Sequence, residues 1–88
     1  MRKIIKQELP LWVNQPFEIE LEGTALNFKV EHNRIVVYYS MSCDTVGTEK
    51  YKILLAETGF ILEDDWTFVD TLTMFNGDYE LHCFVKLL

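Results

Sequence analysis

Apolar and polar residues alternate with period two along much of the chain, which is the pattern of strands with one dry and one wet face. Phe17, Ile19 and Leu21 alternate with Glu18, Glu20 and Glu22. Leu26, Phe28 and Val30 alternate with Asn27, Lys29 and Glu31, up to a turn at His32-Asn33, and residues 34 to 42 return as a strand. If His32 and Asn33 are the turn, the antiparallel register sets Val30 against Ile35, Phe28 against Val37 and Leu26 against Tyr39 on an apolar face. The other face then carries a Glu31 to Arg34 ion pair, with Tyr38 opposite Asn27 as a ring left over from the core.

Asn76-Gly77 is the favoured two-residue hairpin turn, because both positions tolerate positive φ. Counting outward, Met74 faces Tyr79, Leu72 faces Leu81, Asp70 faces Cys83, Phe68 faces Val85 and Trp66 faces Leu87. All but Asp70 suit a core. The second face pairs Thr73 with Glu80, Thr71 with His82, Val69 with Phe84 and Thr67 with Lys86. Asp70 is the anomaly of this register, since an unpaired carboxylate among apolar side chains is costly; a sheet edge, a bulge or a hydrogen bond would relieve it.

Residues 3 to 9 make a first strand, and Pro10 and Pro16 bracket a connection from which Trp12 covers a core edge. Residues 49 to 58 read two ways. Thr48 could cap a short helix ending before Gly59, while Tyr51, Ile53 and Leu55 alternate with Lys50 and Lys52 as in a strand. The 88 residues, 49% hydrophobic, suit one domain over residues 1 to 88. The expected fold is all-β: a small antiparallel sandwich or part-closed barrel of about seven short strands.

The net charge of −6 repels phosphate backbones, so nucleic acid is not an expected partner. The N-terminal residues lack the apolar run of a signal peptide, and no stretch is long and apolar enough to span a bilayer, which predicts a cytoplasmic protein without a membrane partner. Cys43 and Cys83 lack CxxC spacing and are expected as free thiols, Cys83 within the core. With His32 and His82 they form no zinc spacing, and Gly23, Gly47, Gly59 and Gly77 build no phosphate loop, so neither metal nor cofactor is expected.

Ile5-Lys6-Gln7-Glu8-Leu9-Pro10, Phe17-Glu18-Ile19-Glu20-Leu21 before Ala25-Leu26, the Asn33 turn, Ile53-Leu54-Leu55-Ala56-Glu57-Thr58-Gly59, and the closing hairpin with His82 and Phe84 form a set of short motifs. Together they resemble a family of small uncharacterised all-β proteins encoded by tailed bacteriophages and prophages. Where that pattern has a His after Thr-Gly and a Trp in the fourth strand, this chain has Phe60 and the segment Val37-Tyr38-Tyr39. The resemblance implies a viral or prophage all-β domain without an assigned activity, and tips residues 50 to 58 towards strand.

No nucleophile, base and orienting group are assembled by the pattern, so the chain is not read as an enzyme. Binding of a host or viral protein by a phage accessory protein, for instance to block a defence system, is the expected function. The expected contact residues are Thr71, Thr73, Glu80, His82 and Phe84, followed by Tyr38 and Arg34 on the first hairpin, with homo-oligomerisation a further use of such a face. One alternative is a sponge holding a small nucleotide between subunits through Lys29, Arg34 and Lys86. A second is a small hydrolase using Asp70 or His82.

Overall fold

A computed structural model describes residues 1–43 and 47–88, with the backbone alone at Ala25 and Leu26. Among the described residues seven strands form: β1 (Arg2–Glu8), β2 (Phe17–Leu21), β3 (Thr24–Glu31), β4 (Arg34–Ser42), β5 (Glu49–Ala56), β6 (Thr67–Met74) and β7 (Tyr79–Leu87). They make two antiparallel sheets, one of three strands in the order β1-β4-β3 and one of four in the order β2-β5-β7-β6. Residues 49 to 56 are therefore strand, not helix: Tyr51, Ile53 and Leu55 are all buried on one face, a period-two requirement that outweighs the helix propensity of the segment.

The sheets stack as a sandwich that does not close into a barrel. One cluster, including Phe17, Leu21, Phe28, Val37, Ile53, Leu55, Met74 and Leu81, fills the space between them. The shortest dimension of the backbone is 16 Å, which admits two layers about 10 Å apart and no more. At one flank β3 and β6 come together without joining the sheets. The chain crosses from the four-stranded to the three-stranded sheet at Gly23, where a Cβ would lie 2.0 Å from the Ser40 carbonyl oxygen.

Both hairpin turns place the expected residues at positive φ, and the second adds Phe75 at 54°, a left-handed position that an aromatic residue does not favour. His32 and Asn33 take φ of 52° and 58°, while Asn76 and Gly77 take 58° and 89°, with the Asp78 amide donating to the Phe75 carbonyl at 3.2 Å. The Asn33 side-chain oxygen also accepts the Phe75 amide at 3.0 Å, so the turns of the two hairpins are tied to each other.

The final hairpin keeps the expected register from Met74 and Tyr79 as far as Asp70 and Cys83, and then departs from it. A bulge between Phe68 and Asp70 inserts Val69, after which Phe68 pairs with Phe84 and Thr67 with Val85. Val69, expected on the wet face, packs against the core, and Asp70 turns out to solvent. Phe68 and Trp66, expected in the core, are carried to the outer face, because one extra residue reverses every side chain before it. The carboxylate is thus relieved by a bulge on an edge strand, where Asp70 also accepts the Thr71 amide at 2.8 Å.

A second bulge lies in β3, so Ala25 and not Leu26 opposes Tyr39, while Tyr38 opposes Asn27 as expected. The expected core contact of the Leu26 side chain lies outside the described residues. Trp12 is more exposed than a core cover would be, and meets the buried Phe17 edge-on at 5.8 Å between ring centroids.

Candidate functional site

The outer face of the four-stranded sheet is built in rows across β5, β7 and β6. Ala56 and Thr71 flank His82, Leu54 and Phe68 flank Phe84, and Lys52 lies beside Lys86. Leu54 is buried although it faces away from the sandwich, because the connection from β5 to β6 folds back over it. Pro16, Phe60, Leu62 and Trp66 line a depression of about 230 Å³ around it.

Two threonine hydroxyls fix His82: Thr58 Oγ1 lies 2.8 Å from Nε2 and Thr71 Oγ1 lies 2.9 Å from Nδ1. Thr58 comes from the covering connection and Thr71 from β6, so the imidazole joins three segments. A neutral ring donates through one nitrogen and accepts at the other, and rotating hydroxyls serve either tautomer. The expected residues Thr71, Thr73, Glu80, His82 and Phe84 therefore share one face, Thr73 opposite Glu80.

Phe84 is half-buried, and the exposed ring of the pair is Phe68, which is 54% accessible and meets Phe84 edge-on at 5.6 Å. Sequence counting missed Phe68, Trp66 and Thr58 as residues of this face. The signal was Asp70, whose misfit to an inward position marks the bulge that turns Phe68 outward.

Tyr38 and Arg34 lie elsewhere, on the outer face of the three-stranded sheet. Tyr38 donates to Glu31, which also takes Lys6 at 2.9 Å, and Arg34 reaches Glu8 at 3.1 Å. The expected Glu31 to Arg34 ion pair is replaced by these two, because β1 lies on the far side of β4 and offers each residue its own partner. The Tyr38 bond holds Glu31 below the ordinary carboxylate range, with Lys6 adding to it, and the same contacts raise Tyr38 and Lys6. Lys6, Glu8, Glu31, His32 and Arg34 surround a groove of about 530 Å³ floored by Val36.

The cations considered for a nucleotide are engaged with other side chains. Arg34 is on Glu8, Lys29 lies 5.8 Å from the Tyr38 ring centroid, and Lys86 is 2.8 Å from Asp65 and 4.4 Å from the centre of Trp66. Cys83 is buried on the inner face while its neighbour His82 faces outward, and Cys43 is exposed. Among the described residues no group of three or more His, Cys, Asp and Glu is placed to hold a metal ion, and no helix is long and apolar enough to cross a membrane.

Residues 1–87 match a family described as a domain of unknown function, DUF7352. The chain belongs to that family. No curated protein and no solved structure matches it.

Proposed function

We propose that this domain is a non-catalytic protein-binding module whose contact surface is the outer face of β6 and β7. The observation that carries this reading is the Phe68 and Phe84 pair. A large aromatic ring stands mostly in water, yet it packs edge-on against a second ring, Phe84, whose other neighbour in the row is buried Leu54. An aromatic centre with a rim of hydroxyl, imidazole and carboxylate groups, here Thr71, Thr73, His82 and Glu80, has the composition of a protein contact surface. The bulge at Val69 supports the same reading, because bulges are common where a side chain must be re-aimed for function.

The resemblance to small phage and prophage proteins supports a viral setting, with the partner a host or viral protein in the bacterial cytoplasm. A host defence protein fits that setting. The test uses two baits in an infected host, the native domain and a Phe68→Asp variant, with the captured protein then purified and titrated against both. Phe68→Asp changes an exposed side chain, so the variant is expected to keep its melting temperature within a few degrees. A partner that binds the native domain and loses at least tenfold in affinity to the variant is the expected result. A captured protein that binds both equally would place the contact surface elsewhere.

A further inference from the structure

The formal charge of the chain is divided between the two sheets. Strands β1, β3 and β4 carry Arg2, Lys3, Lys6, Lys29 and Arg34 against Glu8 and Glu31, a balance of +3, so a chain of −6 leaves −9 for everything else. Three of the five cations are in β1, which is an end strand of its sheet; Arg2 donates to the Ser40 hydroxyl and Lys6 to the Glu31 carboxylate, partners that an incoming carboxylate would share or displace.

The hydrogen bonds show which backbone groups of β1 are turned to that open side. The Leu9 amide donates to the Ile35 carbonyl and the Cys43 amide to the Met1 carbonyl, so the odd-numbered residues of this segment face β4. In an antiparallel ladder the even-numbered ones then turn their N–H and C=O groups away from it. These are Arg2, Ile4, Lys6 and Glu8, and their side chains lie on the outer face, where Ile4 is 69% exposed.

The other sheet ends are poorer templates. β3 and β6 are both bulged and lie against each other, and β2 is a five-residue strand carrying Glu18 and Glu20. Only β1 among the four end strands combines seven unbulged residues with a positive charge.

We propose that the open edge of β1 takes up an extended acidic protein segment as an added strand. Arg2, Lys3 and Lys6 against Glu8 leave β1 with a net charge of +2, so pairing it with β1 of a second copy brings like net charges together, whereas a strand with carboxylates across from Arg2, Lys3 and Lys6, and apolar residues across from Ile4 and Ile5, meets both charge and hydropathy. The interspersed Glu8 and Glu31 would repel a uniform run of phosphates, which favours a peptide over nucleic acid. This site is on the opposite face of the molecule from Phe68 and does not depend on the reading above.

The test is fluorescence anisotropy with a labelled, end-blocked peptide containing Glu-Val-Val-Glu-Glu, the complement of β1 read backwards. Ile4→Pro is the discriminating variant. The Ile4 amide points to the open side, so proline removes no bond to β4 but denies an added strand its central donor. Binding by the native domain that weakens with salt and falls roughly tenfold or more with Ile4→Pro is the expected outcome, since one lost hydrogen bond with a clash reaches that size. The Arg2→Glu, Lys6→Glu double variant serves if Ile4→Pro fails to fold, and should weaken binding by at least as much. Equal binding of a Lys-Val-Val-Lys-Lys peptide, equal binding of a thymidine oligonucleotide, or affinity unchanged in the folded variants would overturn the proposal. So would a dimer of the native chain that either variant dissociates, because a second copy would then hold the edge.

Discussion

Gly23 shows how much a single side chain can matter in this fold. The nearest atoms to an added Cβ are the Ser40 carbonyl and the Met41 Cα, at 2.0 to 2.9 Å, and backbone cannot swing away as a flexible side chain can. Gly23→Ala is expected to lower stability by about 3 kcal/mol, read from urea unfolding. The cysteines give a second contrast at this scale. Burial, with Asp70 nearby, pushes the Cys83 thiol up to about 12, while Cys43 is exposed. A thiol reagent at neutral pH should therefore modify Cys43 quickly in the native protein and Cys83 only on unfolding. The sign of the pH dependence follows from the same shift. The native state holds the Cys83 proton where the unfolded chain has released it, so this contribution is intact below about pH 8.5 and is lost as pH rises towards the native value. Tyr79, raised by burial and by Glu57, and Tyr38, raised mainly by its bond to Glu31, act in the same direction in alkali. Glu31 and Asp65 are lowered, so their contribution is present above the ordinary carboxylate range and disappears as pH falls through their native values. Melting temperature against pH should accordingly decline at both ends.

At the level of elements, the bulge in β6 exchanges the places of two side chains. Val69 occupies the inward position that a regular ladder gives to Asp70 opposite Cys83, and Asp70 points out. Deleting Val69 would leave Phe68 opposite Phe84 but turn the carboxylate into the core, and is expected to destabilise the domain by at least about 3 kcal/mol. Adding Asp70→Val to that deletion should recover most of the loss, because the strand then becomes regular with an apolar residue facing in. Failure of the second change to rescue the first would show that the bulge matters for more than the placement of Asp70. The same bulge marks where reading the sequence stops working. Alternation and turn chemistry located both hairpins, the arms as far as Asp70, and the shared face of Thr71, Thr73, Glu80 and His82, since each follows from local geometry. Only the misfit of Asp70 hints at an extra residue five pairs from the turn, so a regular ladder places Phe68 inward and Val69 outward. The Lys6 to Glu31 and Arg34 to Glu8 pairs were equally illegible, because they depend on β1 lying beside β4, a contact between distant parts of the chain. Residues 49 to 58 fit two periods at once, and only the neighbours β2 and β7 decide for strand.

For the whole molecule, the two hairpins and the two sheets are assembled from pairings of very different span. The turns at His32-Asn33 and Asn76-Gly77 close local arms, whereas β1 with β4 pairs residues 28 to 40 positions apart and β2 with β5 residues 28 to 36 apart. A topology rich in distant pairings folds slowly, and its local hairpins can form before the sheets meet. The bond from the Phe75 amide to the Asn33 side chain joins the tips of both hairpins across 42 positions of sequence, so it can close only when the layers have docked. It should therefore be absent from the folding transition state and act as a brake on opening. Asn33→Gly keeps the left-handed backbone at this turn while removing the latch. In stopped-flow measurements it is expected to raise the unfolding rate about fivefold, the equivalent of roughly 1 kcal/mol, and to leave the folding rate nearly unchanged. The side chain that ties two turns together would then set how long the native state persists once formed, rather than how quickly it is reached.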